Sequence, residues 1–413
     1  MRHLLSVMFL LHAGSVVDAA TWLETRQSVE SLAASGDYSA ALALEPELLS
    51  TVAQEFGNTS LEYAESLQVA GTVRSQSGQY FDAEAKLLDA LDLVEQAEGP
   101  LSTRLIDPFL ALGDNYHRMG EHDLALGAFN EARSLSRRAE GLFNPAQIPI
   151  LERMADAMLG LDRYPEARDL RGEALTLLVR DNPPASLEVI DERYRFADWL
   201  ERHADVRSAD LQYGVIGGMI RFQFDSDPDL LVPLLRRDAE NRKRVRMASG
   251  EPPGFPHELV EALALVEARS DPDPLLRAEV LLDLADWYVA FEQTWNIASA
   301  YAEVWDALGD VANGDELRQQ WFSGLTLAYA PPLNSRHLVY DSEAPEGRVV
   351  GAFSIDEDGR PRDFELVESD PEGLIDRAFQ RQIMNSRFRP RVVDGRVVAS
   401  TGTVSTEFRY EPR

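Results

Sequence analysis

A signature that recurs every 42 residues constrains this chain more than any other feature of its sequence. A turn residue, followed two places later by Tyr or His, occurs four times: Gly36 with Tyr38, Gly78 with Tyr80, Gly120 with His122, and Asp162 with Tyr164. An alanine follows three places after each of these rings, at Ala41, Ala83, Ala125 and Ala167. A fixed period of this length predicts a stacked array of similar units instead of one globular core. Such arrays mainly present binding surfaces, which favours protein interaction over catalysis.

One full period reads Leu112-Gly113-(x2)-Tyr116-(x3)-Gly120-(x)-His122-(x2)-Ala125-(x3)-Phe129-(x2)-Ala132. This spacing resembles the tetratricopeptide repeat, a hairpin of two helices that cross where their side chains are small. The glycine after the first helix suits the left-handed cap that ends it. The 42-residue length resembles the longer-helix variant found in kinesin light chains. The resemblance implies a mostly α protein, built on a tetratricopeptide-like α-α superhelix.

We expect this helical array to span residues 21–325. Three clear repeats begin near Leu67, Phe109 and Leu151, after an incomplete lead-in at 21–56. The register then degrades, and the remaining helices are expected in four stretches: 191–222, one irregular helix within 223–256, and a divergent end at 256–268 and 274–308. Terminal units of such arrays are atypical because they cap the exposed ends of the core.

The chain after residue 346 carries a different pattern, which a predicted linker over 326–346 separates from the array. The pattern contains, in order, a strand, a hairpin turn, a second strand, a helix and a last strand: 348–355, 356–360, 362–368, a helix from Pro371, and 403–410. This order predicts a small α+β domain over residues 347–413.

Six short motifs in this region resemble the C-terminal domain of TonB, the periplasmic energy transducer: Gly351 to Ile355, Asp356 to Gly359, Val367 to Ser369, Arg387 to Pro390, Val393 to Gly395, and Val404 to Phe408. The resemblance implies a domain that takes a short extended peptide from an outer-membrane transporter. Such a peptide would add a strand to a free sheet edge through main-chain hydrogen bonds. We place that edge at the last strand and expect its partner-binding residues to be Thr403, Val404, Ser405, Thr406 and Phe408.

The start of the chain resembles a secretory signal peptide over residues 1–20. Arg2 and His3 precede the apolar stretch Leu4–Leu11, and Val17 and Ala19 supply small side chains for cleavage. Export would place the mature protein in the periplasm. The alternative is a retained segment that anchors the protein in the inner membrane, and only that alternative involves a membrane. TonB proteins have a full membrane span followed by a stalk. The sequence pattern here matches neither, and a repeat array occupies the position of the stalk.

The composition indicates which classes of partner and which kinds of chemical site to expect. The net charge of −30 disfavours nucleic acid and anionic lipid and favours basic or neutral protein partners. The chain has no cysteine, and its 7 histidines lack metal-binding spacing, so the sequence predicts no metal, no cofactor and no catalytic residue. Residues 354–365 match part of a calcium-loop spacing, but the flanking strands favour a plain hairpin. The basic run 236–246 is either a solvated face that balances nearby acids or an anion site.

Three aspartates, Asp114, Asp156 and Asp198, are spaced by one repeat each. In the tetratricopeptide fold this position of the first helix faces the concave groove. Asp286 holds the corresponding place in the last hairpin. Two interpretations stay open: an acidic groove for a basic or neutral peptide, or structural aspartates that bond between repeats.

These observations together predict a periplasmic coupling or adaptor protein of TonB type, and not an enzyme. Its C-terminal domain would bind a peptide of a TonB-dependent outer-membrane transporter, and its array would bind a second partner or serve as a spacer. The alternative is a periplasmic scaffold or envelope-assembly factor with no role in transport.

Overall fold

The computed structural model describes residues 19–183, 186–252, 254–331, 333, 335, 337–338 and 344–410. The predicted signal peptide therefore lies outside the described residues, except for its last two positions, which begin the first helix. The chain divides into two compact units, Met1–Val189 and Ile190–Arg413. The predicted domain limits at 325 and 347 differ from this division and stay a prediction.

The first unit is an all-α array of consecutive helix hairpins. Its helices within the described residues, α1 to α8, are Ala19–Ala34, Tyr38–Phe56, Leu61–Gln76, Tyr80–Glu98, Ile106–Arg118, His122–Glu140, Ile148–Gly160 and Tyr164–Asp181. Each odd-numbered helix packs against the even-numbered helix that follows it, as the 42-residue period predicts. The segment 21–56, predicted to be an incomplete repeat, forms a complete hairpin of α1 and α2.

Small residues lie where the two helices of a hairpin cross. A Cβ atom added to Gly113 of α5 would lie 2.3 Å from the Phe129 ring of α6, so only glycine fits there. Ala125 and Ala132 of α6 are completely buried. The small positions of the sequence pattern therefore allow the close approach of the helices, which buries Phe129 in the hairpin core.

The turn inside each hairpin repeats the same backbone conformation. The residue after the first helix is left-handed in six hairpins, with φ between 55° and 84°: Gly36, Gly78, Gly120, Asp162, Ala204 and Glu292. Glycine adopts this conformation without steric cost, whereas a residue with a Cβ is strained in it. The structure thus keeps the turn geometry where the sequence has lost its glycine.

The second unit begins with the degraded end of the array. Its helices, α9 to α15, are Leu187–Arg202, Val206–Gln223, Pro228–Ser249, His257–Glu267, Pro274–Ala290, Thr294–Ala307 and Gly314–Phe322. As predicted, α11 is one long helix inside 223–256, and α13 packs against α14 as a last hairpin. Helix α15 follows that hairpin and was not predicted.

In the part of the strand-rich end that the structure describes, there are seven strands and one helix. In chain order they are β1 Leu327–Tyr329, β2 Glu346–Ile355, β3 Pro361–Asp370, α16 Asp376–Asn385, β4 Arg387–Phe388, β5 Arg391–Val393, β6 Arg396–Val398 and β7 Ser400–Arg409. The main sheet has the order β3-β2-β7, and all its neighbours are antiparallel. Phe379 and Ile383 of α16 are buried with Val349 and Phe353 of β2, which forms the core of an α+β layer.

Two details of this region differ from the sequence prediction. The helix predicted from Pro371 starts at Asp376, because 371–375 form a turn in which the Gly373 amide donates to the Asp376 carboxylate at 3.1 Å. The predicted linker 326–346 contains strand β1, which pairs with β4. The turn after β2 is a plain hairpin, since the Asp356 carboxylate accepts from the amides of Asp358 and Arg360.

Candidate partner-binding sites

Strand β7 forms an edge of the main sheet. It pairs with β2 over ten consecutive residues, from Glu346 opposite Arg409 to Ile355 opposite Ser400, without a shift in register. The opposite edge strand, β3, has two register shifts against β2. Shifts of this kind twist an edge and disfavour further pairing, whereas a regular edge offers a template for another strand. Among the described strands, none pairs with the outer side of β7.

The hydrogen-bond pattern decides which backbone groups of β7 face outward. The Tyr410 amide donates to the Pro345 carbonyl at 3.2 Å, so residue 410 bonds toward β2. Successive residues of an antiparallel strand bond to opposite sides. The amides of Thr403, Ser405 and Glu407 therefore point away from the sheet, and those of Val404 and Thr406 point toward β2.

The five residues predicted to bind a partner lie on this one strand but contribute differently. Phe408 is only 7% exposed and belongs to the domain core, against which Val404 also packs. Thr403 and Ser405 are exposed. A strand added at this edge would be held by the outward amides of the exposed residues, on a scaffold that the buried residues keep in place.

Other parts of the chain approach both ends of β7. A Cβ added to Gly402 would lie 2.8 Å from the side chain of Leu325, so the start of the strand is in contact with the segment after α15. At the other end, an isolated antiparallel bridge joins Leu338 to Tyr410. The stretch from Thr403 to Arg409 lies between these two contacts.

The predicted groove aspartates all form ion pairs with arginines. Asp114 binds Arg153 at 3.1 Å, and Asp198 binds Arg237 at 3.2 Å. Asp156 makes a longer contact of 3.7 Å with Arg171. The sequence located the carboxylates but missed their partners, although Arg153 and Arg237 each follow their aspartate by 39 residues, close to one repeat.

The basic run on α11 is also engaged with acids. Arg236 binds Glu279 and Asp283, both at 2.6 Å. Arg242 contacts three carboxylates, those of Asp210, Asp238 and Glu258. This arrangement agrees with the interpretation of the run as a charge-balanced helix face.

Asp286, the fourth member of the aspartate series, binds the strand-rich region. The Arg389 guanidinium donates to both of its carboxylate oxygens, at 3.0 and 2.6 Å, and the Tyr301 hydroxyl donates to it at 2.6 Å. Both charged side chains are largely buried, 15% exposed for Asp286 and 12% for Arg389. Burial alone would lower the pKa of Arg389, but the hydrogen bonds and charge of Asp286 outweigh it and raise that pKa. Burial, with the nearby Asp286 charge, raises the pKa of Tyr301 well above its usual value.

A second ionic contact lies beside the first. Glu292, the left-handed residue after α13, binds Arg360 at 2.7 Å and also binds Arg387. The hydrogen bond from Arg387 lowers the pKa of Glu292. Glycine occupies this turn position in three earlier hairpins, whereas the last hairpin carries a carboxylate there.

Comparison with known proteins identifies two families along the chain. Residues 105–178 match the tetratricopeptide repeat family, and residues 341–410 match the family described as the Gram-negative bacterial TonB protein C-terminal. Both families are protein-interaction domains. Within the described residues, no helix is long and apolar enough to cross a membrane.

One curated protein and several solved structures are similar to parts of this chain. Protein TonB of Pseudomonas aeruginosa is 36% identical over 83 residues, which are 20% of this chain and 24% of that protein. The chain therefore spans about a quarter of the length of the curated relative that it matches. Among solved structures, kinesin light chain repeats of Podosopora anserina share 12% identity and cover 49% of this chain and 97% of theirs, with a TM-score of 0.42. BtubC of P. vanneervenii shares 17% identity and covers 74% of this chain and 97% of its own, with a TM-score of 0.35. The chain thus joins a tetratricopeptide-type helical array to a C-terminal domain of TonB type.

Proposed function

We propose that this protein is an interaction adaptor, which works in the bacterial periplasm and captures an extended peptide at the outer edge of β7. One observation carries the proposal: β7 is a regular edge whose outward amides at Thr403, Ser405 and Glu407 have the spacing that an added strand requires. The TonB relative motivates the source of the peptide, which we propose to be a TonB-dependent outer-membrane transporter. Residues 1–20 would direct export, and cleavage after Ala19 or Ala20 would release the mature protein.

A proline scan of two adjacent positions tests the capture mechanism. Proline removes the backbone amide, and a strand tolerates it only where that amide is not part of a ladder. Ser405→Pro removes an outward amide, so we expect it to stay folded and to lose peptide capture. Thr406→Pro removes an amide that bonds to β2, so we expect it to destabilise the sheet. Ser405→Ala is the matched control, because it keeps the amide and loses only the exposed hydroxyl contact with Arg348.

The measurement is the affinity of the full mature chain for peptides from the periplasmic N-termini of candidate transporters, with folding checked by circular dichroism. If folded Ser405→Pro binds as tightly as the parent, edge pairing is the wrong mechanism. If the parent binds none of the peptides, a scaffold or envelope-assembly role with no part in transport replaces the coupling role.

We propose that the aspartates of the array serve a second protein partner. Asp114 and Asp156 in the first unit and Asp198 in the second are paired with arginines, so each offers an ion pair instead of a free carboxylate. Replacing all three by Asn is expected to weaken partner binding, most strongly at low salt, since screening acts over about 10 Å at 0.1 M. Unfolding of the triple variant would show that these aspartates are structural instead.

A further inference from the structure

Ion pairs between successive helix hairpins recur along the array. Arg26 binds Glu65 and Glu65 binds Arg104, both at 2.8 Å and both across 39 residues. Asp114 with Arg153 has the same separation, and so has Asp198 with Arg237. Within each unit, an arginine and an acid about one repeat apart therefore join neighbouring hairpins.

At Asp286 the chain offers no such arginine, because the residue 39 places later is Leu325. The carboxylate is bound instead by Arg389 of the TonB-type domain, 103 residues away. Arg389 is fixed on its other sides as well: its guanidinium donates to the Trp321 carbonyl at 3.2 Å, and its amide donates to the Thr326 carbonyl at 2.8 Å. The TonB-type domain thus supplies the contact that a following repeat would make.

The apolar contacts continue in the same way. Val392 of β5 and Ala328 of β1 are buried in one core with Tyr301 and Val304 of α14 and Phe322 of α15. Val397 of β6 and Trp305 of α14 pack against this core. Without the TonB-type domain, the last hairpin would expose this surface to water.

Three of the six motifs that carry the TonB resemblance take part in this contact. In the first, a Cβ added to Gly359 would lie 2.9 Å from Val289 of α13. In the second, Arg387 and Arg389 bind Glu292 and Asp286. In the third, a Cβ added to Gly395 would lie 3.4 Å from Trp305. On β7, Gly402 approaches Leu325, whereas peptide capture would use the outward amides of Thr403, Ser405 and Glu407.

We propose that the TonB-type domain has a second function, which is to cap the C-terminal end of the repeat array. A stacked array needs a terminal element that covers its last apolar face, and here the Arg389 ion pair and the Val392 contacts supply that cover. The last hairpin and the TonB-type domain consequently open together, as one cooperative element.

Hydrogen exchange on the full mature chain tests the capping function. Arg389→Met keeps the length of the side chain but leaves Asp286 buried without its cation, which is strongly destabilising. We expect exchange in α13, α14 and α15 to rise by about tenfold or more, together with exchange in 344–410, while α1 to α7 exchange as in the parent.

Two matched variants serve as controls. Arg362→Met removes an exposed pair with Asp356 inside the TonB-type domain and should leave α13 to α15 unchanged. Arg153→Met removes the pair with Asp114 and should act only on the first unit.

If Arg389→Met unfolds the whole second unit, the joint loss supports the cap, and the milder Glu292→Gln then gives the graded rise in exchange. The proposal is overturned if exchange rises within 344–410 while α13 to α15 keep the protection of the parent. It is equally overturned if neither region changes in Arg389→Met and in Glu292→Gln.

Discussion

Two glycines of one hairpin should respond in opposite ways to the same substitution. Gly113 of α5 faces the Phe129 ring of α6, whereas Gly127 of α6 is exposed and has no atom within 4 Å of the place where a Cβ would lie. Both are helical, so alanine at either position gains about 1 kcal/mol of helix propensity. Only Gly113→Ala introduces a steric overlap, so the difference in stability between the two variants measures the cost of that overlap.

The size of that penalty follows from the distances. A Cβ on Gly113 would lie 2.3, 2.6 and 2.8 Å from three carbons of the Phe129 ring. Carbon atoms pack at about 3.5–4.0 Å, so the buried ring must retreat by more than about 1 Å. Overpacking of this kind costs about 1–3 kcal/mol, and the severity of the overlap places it at the upper end. After the gain in propensity, Gly113→Ala should destabilise the hairpin by about 1–2 kcal/mol, and Gly127→Ala should stabilise it by about 1 kcal/mol.

The assay is native-state hydrogen exchange of α5 and α6, because repeat arrays do not unfold as one two-state system. Phe129→Leu provides a double-mutant test: without the ring, the penalty of Gly113→Ala should shrink, which gives a coupling energy between the two positions. A Gly113→Ala variant as protected as the parent in both backgrounds would refute the proposed helix crossing.

Two further predictions concern the second unit. Ala204 is left-handed with φ 59°, so Ala204→Gly should raise the stability of that unit by about 1 kcal/mol in urea titration, whereas Ala209→Gly, at a buried helical position, should lower it. Burial raises the pKa of Asp238 to about 6, although the hydrogen bond from Arg242 opposes this shift. The folded state therefore binds an extra proton between about pH 4 and 6, and the stability that this group contributes at low pH is lost as the pH rises through 6. Asp238→Asn should flatten this dependence, and an unchanged pH profile would contradict the assignment.

The helical array was predictable because its determinants are local and periodic. Gly113 and Ala125 mark the helix crossing in the sequence itself, and the turn glycines mark the end of each first helix. The TonB-type domain was predictable from the order of its short motifs. Both predictions depend on residues that lie close together along the chain.

The contact between the last hairpin and the TonB-type domain was not predictable in the same way. Asp286 and Arg389 are 103 residues apart, and a repeat period predicts contacts only between neighbouring layers. Strand β1 has three residues, too few for an alternating pattern, and it forms because β4 offers it a partner. For Asp114, Asp156 and Asp198, the spacing picked out the three residues, but their ion pairs depend on how the helices pack.

The last hairpin, with its turn after α13, affects which repeats of such a chain can be gained or lost during evolution. Inner repeats share one turn geometry, and ion pairs across 39 residues recur along them, so duplication or deletion of a 42-residue unit would restore similar contacts. The last hairpin differs, because Glu292 and Asp286 both bind arginines outside the array. We expect related chains to differ by whole inner repeats and to keep this final hairpin next to its C-terminal domain.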